Sequence, residues 1–86
     1  MANQRQILAA LLPGEGQLDL AQIRLSGNQR LQIENHQGVI AYSQEQIKIA
    51  TKCGLVIIRG QELEILHVDR ETMNLSGRID CLEFGP

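Results

Sequence analysis

Aromatic side chains are nearly missing from these 86 residues, which hold one Tyr, one Phe and no Trp. Rings are what stack on unpaired bases, so a single-strand nucleic-acid surface lacks its usual parts. A basic excess is missing as well. Eight Lys and Arg against ten Asp and Glu give a net charge of −2 and a pI near 5.6, and no polyanionic partner is implied. Only Cys53 and Cys81 occur, whereas a secreted domain of this size held by bridges carries four or more cysteines; a reducing compartment is expected. The longest apolar run, Ile7 to Leu12, is too short for a signal-peptide core and far too short to span a bilayer. The chain reads as cytoplasmic, without a span of its own.

What is present is aliphatic and periodic. Residues 1–16 read as a short helix and connector. Asn3 caps it, Gln6 stands where a capping box needs it, Pro13-Gly14 stops it, and Ile7, Leu8, Leu11 and Leu12 share one face. So short a helix is marginal alone in water, so that face must dock on this chain's own sheet or on another surface. From residue 17 the period becomes two. Leu18/Leu20, Ile23/Leu25, Leu31/Ile33, Ile47/Ile49, Leu63/Ile65 and Met73/Leu75 alternate with polar residues, and Gly, Asn, Asp and Ser punctuate the intervals. An all-β body over residues 17–86 follows: a small antiparallel sandwich or roll of about eight short strands, with solenoid-like stacking as the alternative.

Pairing can be tested by keeping apolar side chains on one face, because a one-residue slip inverts them all. A loop of Gly27-Asn28-Gln29 pairs Leu25 with Leu31 and Ile23 with Ile33. A turn at Lys52-Cys53-Gly54-Leu55 pairs Thr51 with Val56, Ile49 with Ile58 and Ile47 with Gly60. Gly60-Gln61 has the chemistry of a type II′ hairpin pairing Ile58 with Leu63, and Ser76-Gly77-Arg78 reads as a turn pairing Leu75 with Ile79. The predicted centre is a three-stranded meander from Gln46 to His67. Its second face would gather Leu55, Ile57 and Leu66 into an aliphatic strip beside Lys48, Arg59, Glu62 and Glu64. A wet sheet face should not carry such a strip, so a covering helix or another chain is expected there.

Catalytic signals are thin. His36, Cys53, His67 and Cys81 are scattered singly, where structural zinc uses closely paired ligands. Cys53 falls on a predicted hairpin tip with no assured base, and reads as a turn thiol; Cys81 reads as a small core or edge residue. The Glu62/Glu64 pair reads as part of a charge ladder with Arg59 and Lys48. Asn35-His36-Gln37-Gly38 is the most polar tight turn, and Asn and Gly suit a turn on conformational grounds alone. Neither a Gly-rich phosphate loop nor a G-x-S-x-G nucleophile elbow occurs. No catalytic residue, cofactor or metal is expected. Two readings remain: an interaction module using Leu55, Ile57, Leu66 and the Ile7, Leu8, Leu11, Leu12 face, or a ligand-binding regulator using Asn35, His36 and Gly38.

Longer segments carry a likeness. Ile33-Glu34-Asn35-His36-Gln37-Gly38-Val39, Tyr42-Ser43, Ile47-Lys48-Ile49, Gly54-Leu55-Val56-Ile57-Ile58-Arg59-Gly60 and Leu75-Ser76-Gly77-Arg78-Ile79-Asp80 together resemble the YabP/YqfC family of sporulation proteins from endospore-forming bacteria, the YqfC branch more closely. The likeness runs from Leu18 to Phe84. It implies a small mother-cell protein, peripheral at the forespore envelope, that serves spore cortex or coat morphogenesis without known catalysis. It also implies protein partners: a second copy, or a sporulation membrane protein resembling YqfD. The family has no catalytic motif to carry over.

Overall fold

Residues 20–86 are described by the computed structural model. The helix predicted for residues 1–16, with Ile7, Leu8, Leu11 and Leu12, lies outside them. Six strands follow: β1 (Gln22–Ser26), β2 (Arg30–Glu34), β3 (His36–Tyr42), β4 (Gln46–Thr51), β5 (Gly54–Val68) and β6 (Thr72–Gly85). They form one antiparallel sheet in the order β1-β2-β6-β5-β4-β3, so the fold is all-β as the alternation demands.

The strands number six because two predicted turns are not turns. β5 runs for 15 residues straight through Gly60-Gln61, and β6 for 14 straight through Ser76-Gly77-Arg78. Both sites are irregularities in one long β5–β6 ribbon, where the register shifts between Arg59 and Gly60 and between Gln61 and Glu64. The glycines are needed for approach, not reversal. A Cβ on Gly60 would lie 1.8 Å from the Arg78 carbonyl oxygen, and one on Gly77 would lie 2.6 Å from that of Glu62. Glu62 and Gly77 also hold positive φ, 54° and 131°, which bends the ribbon. A bulge shifts the inward parity by one residue just as a two-residue hairpin does, so Ile58 and Leu63 both point inward in either arrangement.

The bend divides the sheet into two four-stranded halves. One is β3, β4, residues 54–59 of β5 and residues 81–85 of β6. The other is β1, β2, residues 72–76 of β6 and residues 64–68 of β5. Each hairpin grips the bend with its tip. The β3–β4 turn accepts from Gly60 N–H at Glu45 O (3.0 Å) and from Leu63 N–H at Gln44 O (2.8 Å). The β1–β2 turn accepts from Gly77 N–H at Gln29 O (3.2 Å) and from Ile79 N–H at Asn28 O (2.7 Å).

Both halves close on one core. Leu31, Ile33, Leu63, Met73 and Leu75 from one half meet Ile47, Ile49, Val56 and Ile58 from the other, with Ile79 at the bend. The β1–β2 pairing is the predicted one, with Leu25 opposite Leu31 and Ile23 opposite Ile33. β4 and β5 keep the predicted faces but slide by two residues, pairing Ile47 with Ile58 and Ile49 with Val56 around a turn at Lys52-Cys53. A shift of two leaves every side chain on its side, so facial chemistry alone does not distinguish the registers.

Candidate functional site

Asn35 is a corner rather than a hairpin turn. It stands alone between β2 and β3 with φ 66°, a left-handed conformation that Asn tolerates, and lets the chain cross from one half to the other. Its N–H donates to Glu71 O (2.7 Å) and its side-chain amide to Leu20 O (3.0 Å). His36 follows it inward and is only 7% exposed. Nδ1 accepts from Gly38 N–H (3.0 Å), which leaves Nε2–H to donate to Asp69 O (2.9 Å). Both ring nitrogens are used within the fold. The imidazole joins the β2–β3 corner to the β5–β6 turn, and the His36 side chain is directed into the fold rather than to solvent.

The turn it holds is itself tightly tied. Asp69 Oδ1 accepts from Thr72 N–H (2.8 Å) and Glu71 N–H (3.0 Å), while Oδ2 meets His67 Nε2 at 3.1 Å. These bonds to the charged form, Thr72 first, lower the Asp69 pKa from 3.8 to about 2. Farther along, Tyr42 Oη accepts from Ile65 N–H (3.3 Å) and reaches Leu63 O at 3.5 Å, tying β3 to β5 beyond the bend. The side between β3 and the last third of β5 is thus sealed at both ends by side chains.

The other candidates separate. Leu55 and Ile57 do share the outer face of the β3–β4 half, half-buried, in rows that read Gly38, Ala50, Leu55, Gly85 and Ala41, Lys48, Ile57, Glu83. Leu66 is not with them. Because β5 continues past Gly60, Leu66 lies in the opposite half, the extra residue of a bulge between Ile65 and His67. It is 48% exposed beside a groove lined by Arg24, Arg30, Gln32 and Asn74. The predicted charge ladder is also dispersed. Arg59 pairs with Glu83 instead, Glu62 sits at the bend, and Glu64 faces Ser76.

The pattern of residues in β3 had more to give. His36-Gln37-Gly38-Val39-Ile40-Ala41-Tyr42 contains no Lys, Arg, Asp or Glu, yet it is an edge strand, and Ile40 is 61% exposed where a bulge turns it out. Edge strands normally carry charge or proline against pairing with other chains. A charge-free run of seven was the available signal. The aliphatic part of the outer face of β4–β5 therefore continues from Leu55 and Ala50 over Gly38 to an uncharged edge, with Lys48 interrupting the row to Ala41. Cys53, in the β4–β5 turn, and Cys81, on the outer face opposite Arg59, are both free and exposed. No group of three metal-ligating side chains forms among the described residues, nor is any helix there long and apolar enough to cross a membrane.

Fold and surface together define a small antiparallel β-roll whose distinctive exposed chemistry is aliphatic rather than ionisable. The YabP family model matches residues 17–86, and the chain belongs to that family. It is 30% identical over 73 residues to the protein named Uncharacterized protein YqfC of Bacillus subtilis (strain 168), across 85% of this chain and 78% of that one.

Proposed function

We propose that this chain is a non-catalytic assembly module of endospore formation, built to hold another protein surface during construction of the spore envelope. The observation that carries this is the outer face of the β3–β4 half. Ala50, Leu55 and Ile57 lie across two adjacent strands there, and Leu55 and Ala50 continue through Gly38 to the edge strand that carries exposed Ile40, while Lys48 stands between Ile57 and Ala41. Lys48 and the Arg59–Glu83 pair flank them. An apolar centre with a charged margin is the ordinary anatomy of a protein interface. Membership of the YabP family supports the biological setting, because the family is associated with sporulation.

The partner is a second copy or a membrane-anchored protein of the YqfD kind, which would place the chain at the mother-cell side of the forespore envelope. Light scattering on a sizing column, with and without that membrane protein in detergent, tests it. The wild type is expected to exceed its 9.6 kDa monomer mass or to co-elute with the partner, and Ile57→Lys with Ile40→Lys to abolish whichever occurs. A chain that stays monomeric at high concentration and never co-elutes would overturn the reading.

A further inference from the structure

Two of the arginines on this sheet are neutralised by a neighbour, and two are not. Arg59 on β5 holds Glu83, and Arg78 on β6 holds Asp80 through Nε (3.0 Å) and Nη2 (3.2 Å). Arg24 on β1 and Arg30 on β2 have no carboxylate partner among the described residues. In the β1–β2 ladder Arg24 faces Gln32 and Arg30 faces Ser26, which makes the two arginines diagonal neighbours on the outer face. Such neighbours lie about 7–8 Å apart. Like charges at that spacing repel, so the sheet itself gains nothing from the pair.

The two arginines border a groove of about 380 Å³, whose other outward side chains are Ser26, Gln32, Leu66 and Asn74. Glu34 and Glu64 share this face of the sheet but stand outside the groove. The Ser26 hydroxyl and the Gln32 and Asn74 amides make no hydrogen bond with another described residue. The groove therefore combines two unneutralised cations with three uncommitted polar groups, on a chain whose net charge is −2. That is a local demand for an anion.

The chemistry narrows the anion. One guanidinium fork suffices for the two oxygens of a carboxylate, whereas two forks suit a group with more oxygens and more charge. A phosphate monoester has three free oxygens and a charge of about −1.5 to −2 near neutral pH. No ring lines the groove, so a base has nothing to stack on. Hydroxyl and amide groups both donate and accept, which matches the hydroxyls of a small polyol. The volume suits a small molecule.

We propose that this groove binds a small polyol phosphate, with Arg24 and Arg30 gripping the phosphate and Ser26, Gln32 and Asn74 meeting the hydroxyls of its carrier. The site lies on the half of the sheet that the proposed protein interface does not use.

Titration of the full chain with glycerol 3-phosphate, followed by amide NMR shifts at constant ionic strength, tests this. Saturating shifts are expected on β1, β2 and around Asn74. Arg24→Gln and Arg30→Gln should each weaken binding about tenfold. Both side chains are exposed, so each variant should melt like the wild type and leave the mass of any assembly unchanged. Shifts that do not saturate, that acetate reproduces, or that survive both substitutions would overturn the proposal. So would tighter binding of inorganic phosphate, which would make the free ion the ligand. Co-sedimentation with phosphatidylglycerol vesicles without binding of the soluble ester would also overturn it, in favour of a lipid headgroup. The Ile57 and Ile40 mass measurement does not depend on any of these results, so the two ideas fail separately.

Discussion

The two halves of the sheet are alike inside and unlike outside. Inward, the two halves present aliphatic side chains and one Met to a single core. Outward, the β1–β2 half shows rows of Arg24, Gln32, Asn74 and His67, and of Ser26, Arg30, Ser76 and Glu64. The β3–β4 half shows Ala50, Leu55 and Ile57 among Lys48 and the Arg59–Glu83 pair, and an uncharged edge. A shared aliphatic interior is what folding demands of any small β domain. The difference outside is not demanded by folding, and it is the reason the proposed interface is assigned to the β3–β4 half.

The strongest way to break the comparison is to separate the halves at the ribbon that joins them. Gly60→Val places side-chain atoms inside the Arg78 carbonyl, and a loss of about 4 kcal/mol or outright failure to fold is expected by urea denaturation. Gly27→Ala is the control. It has a positive φ of 57°, which Gly60 does not, but open space around it, and should cost about 1 kcal/mol. Between these falls the corner. His36→Ala strands both Gly38 N–H and Asp69 O, and about 2–3 kcal/mol should be lost in thermal or urea melts, with no change in the mass of the assembly.

Acid should loosen the β5–β6 turn before it affects either outer face. Asp69 has a folded pKa of about 2 against 3.8 when free, so its contribution is complete above about 3.8 and disappears as the pH falls toward 2. Amide exchange at Glu71 and Thr72 should quicken through that window, and Asp69→Asn should flatten the dependence. The smallest effect on stability sharpens the comparison most. Ile57→Lys and Leu66→Lys should each shift stability by no more than about 0.5 kcal/mol. Ile57→Lys alone should reduce assembly by light scattering, because Leu66 stands on the polar half.

Much of this was readable in advance, and the failures share one cause. The β1–β2 register follows from alternation and a three-residue loop, and the inward set Ile47, Ile49, Val56, Ile58, Leu63 and Ile65 follows from period two with one change of parity at Gly60-Gln61. Gly60 and Gly77 misled because a bulge and a hairpin ask the same favours of a glycine: positive φ or a neighbour too near for a Cβ. Both conserve the apolar face, so nothing local tells them apart. Placing Leu66 beside Ile57 was a consequence of that ambiguity. His36 was invisible for another reason. Its partners Asp69 and Gly38 meet it only through a left-handed Asn35, and a contact spanning 33 residues leaves no periodic trace.

Side-chain alternation is a property of each strand, independent of its neighbours, and so strand identity, the all-β class and the composition of the interior were settled by the order of residues. Which strand lies beside which, whether a glycine reverses the chain or bends it, and whether Leu55, Ile57 and Leu66 form one surface or two depend on pairings between distant segments. Those pairings are chosen by the free energy of closing the whole roll on a single core, a quantity to which no short stretch of residues has access.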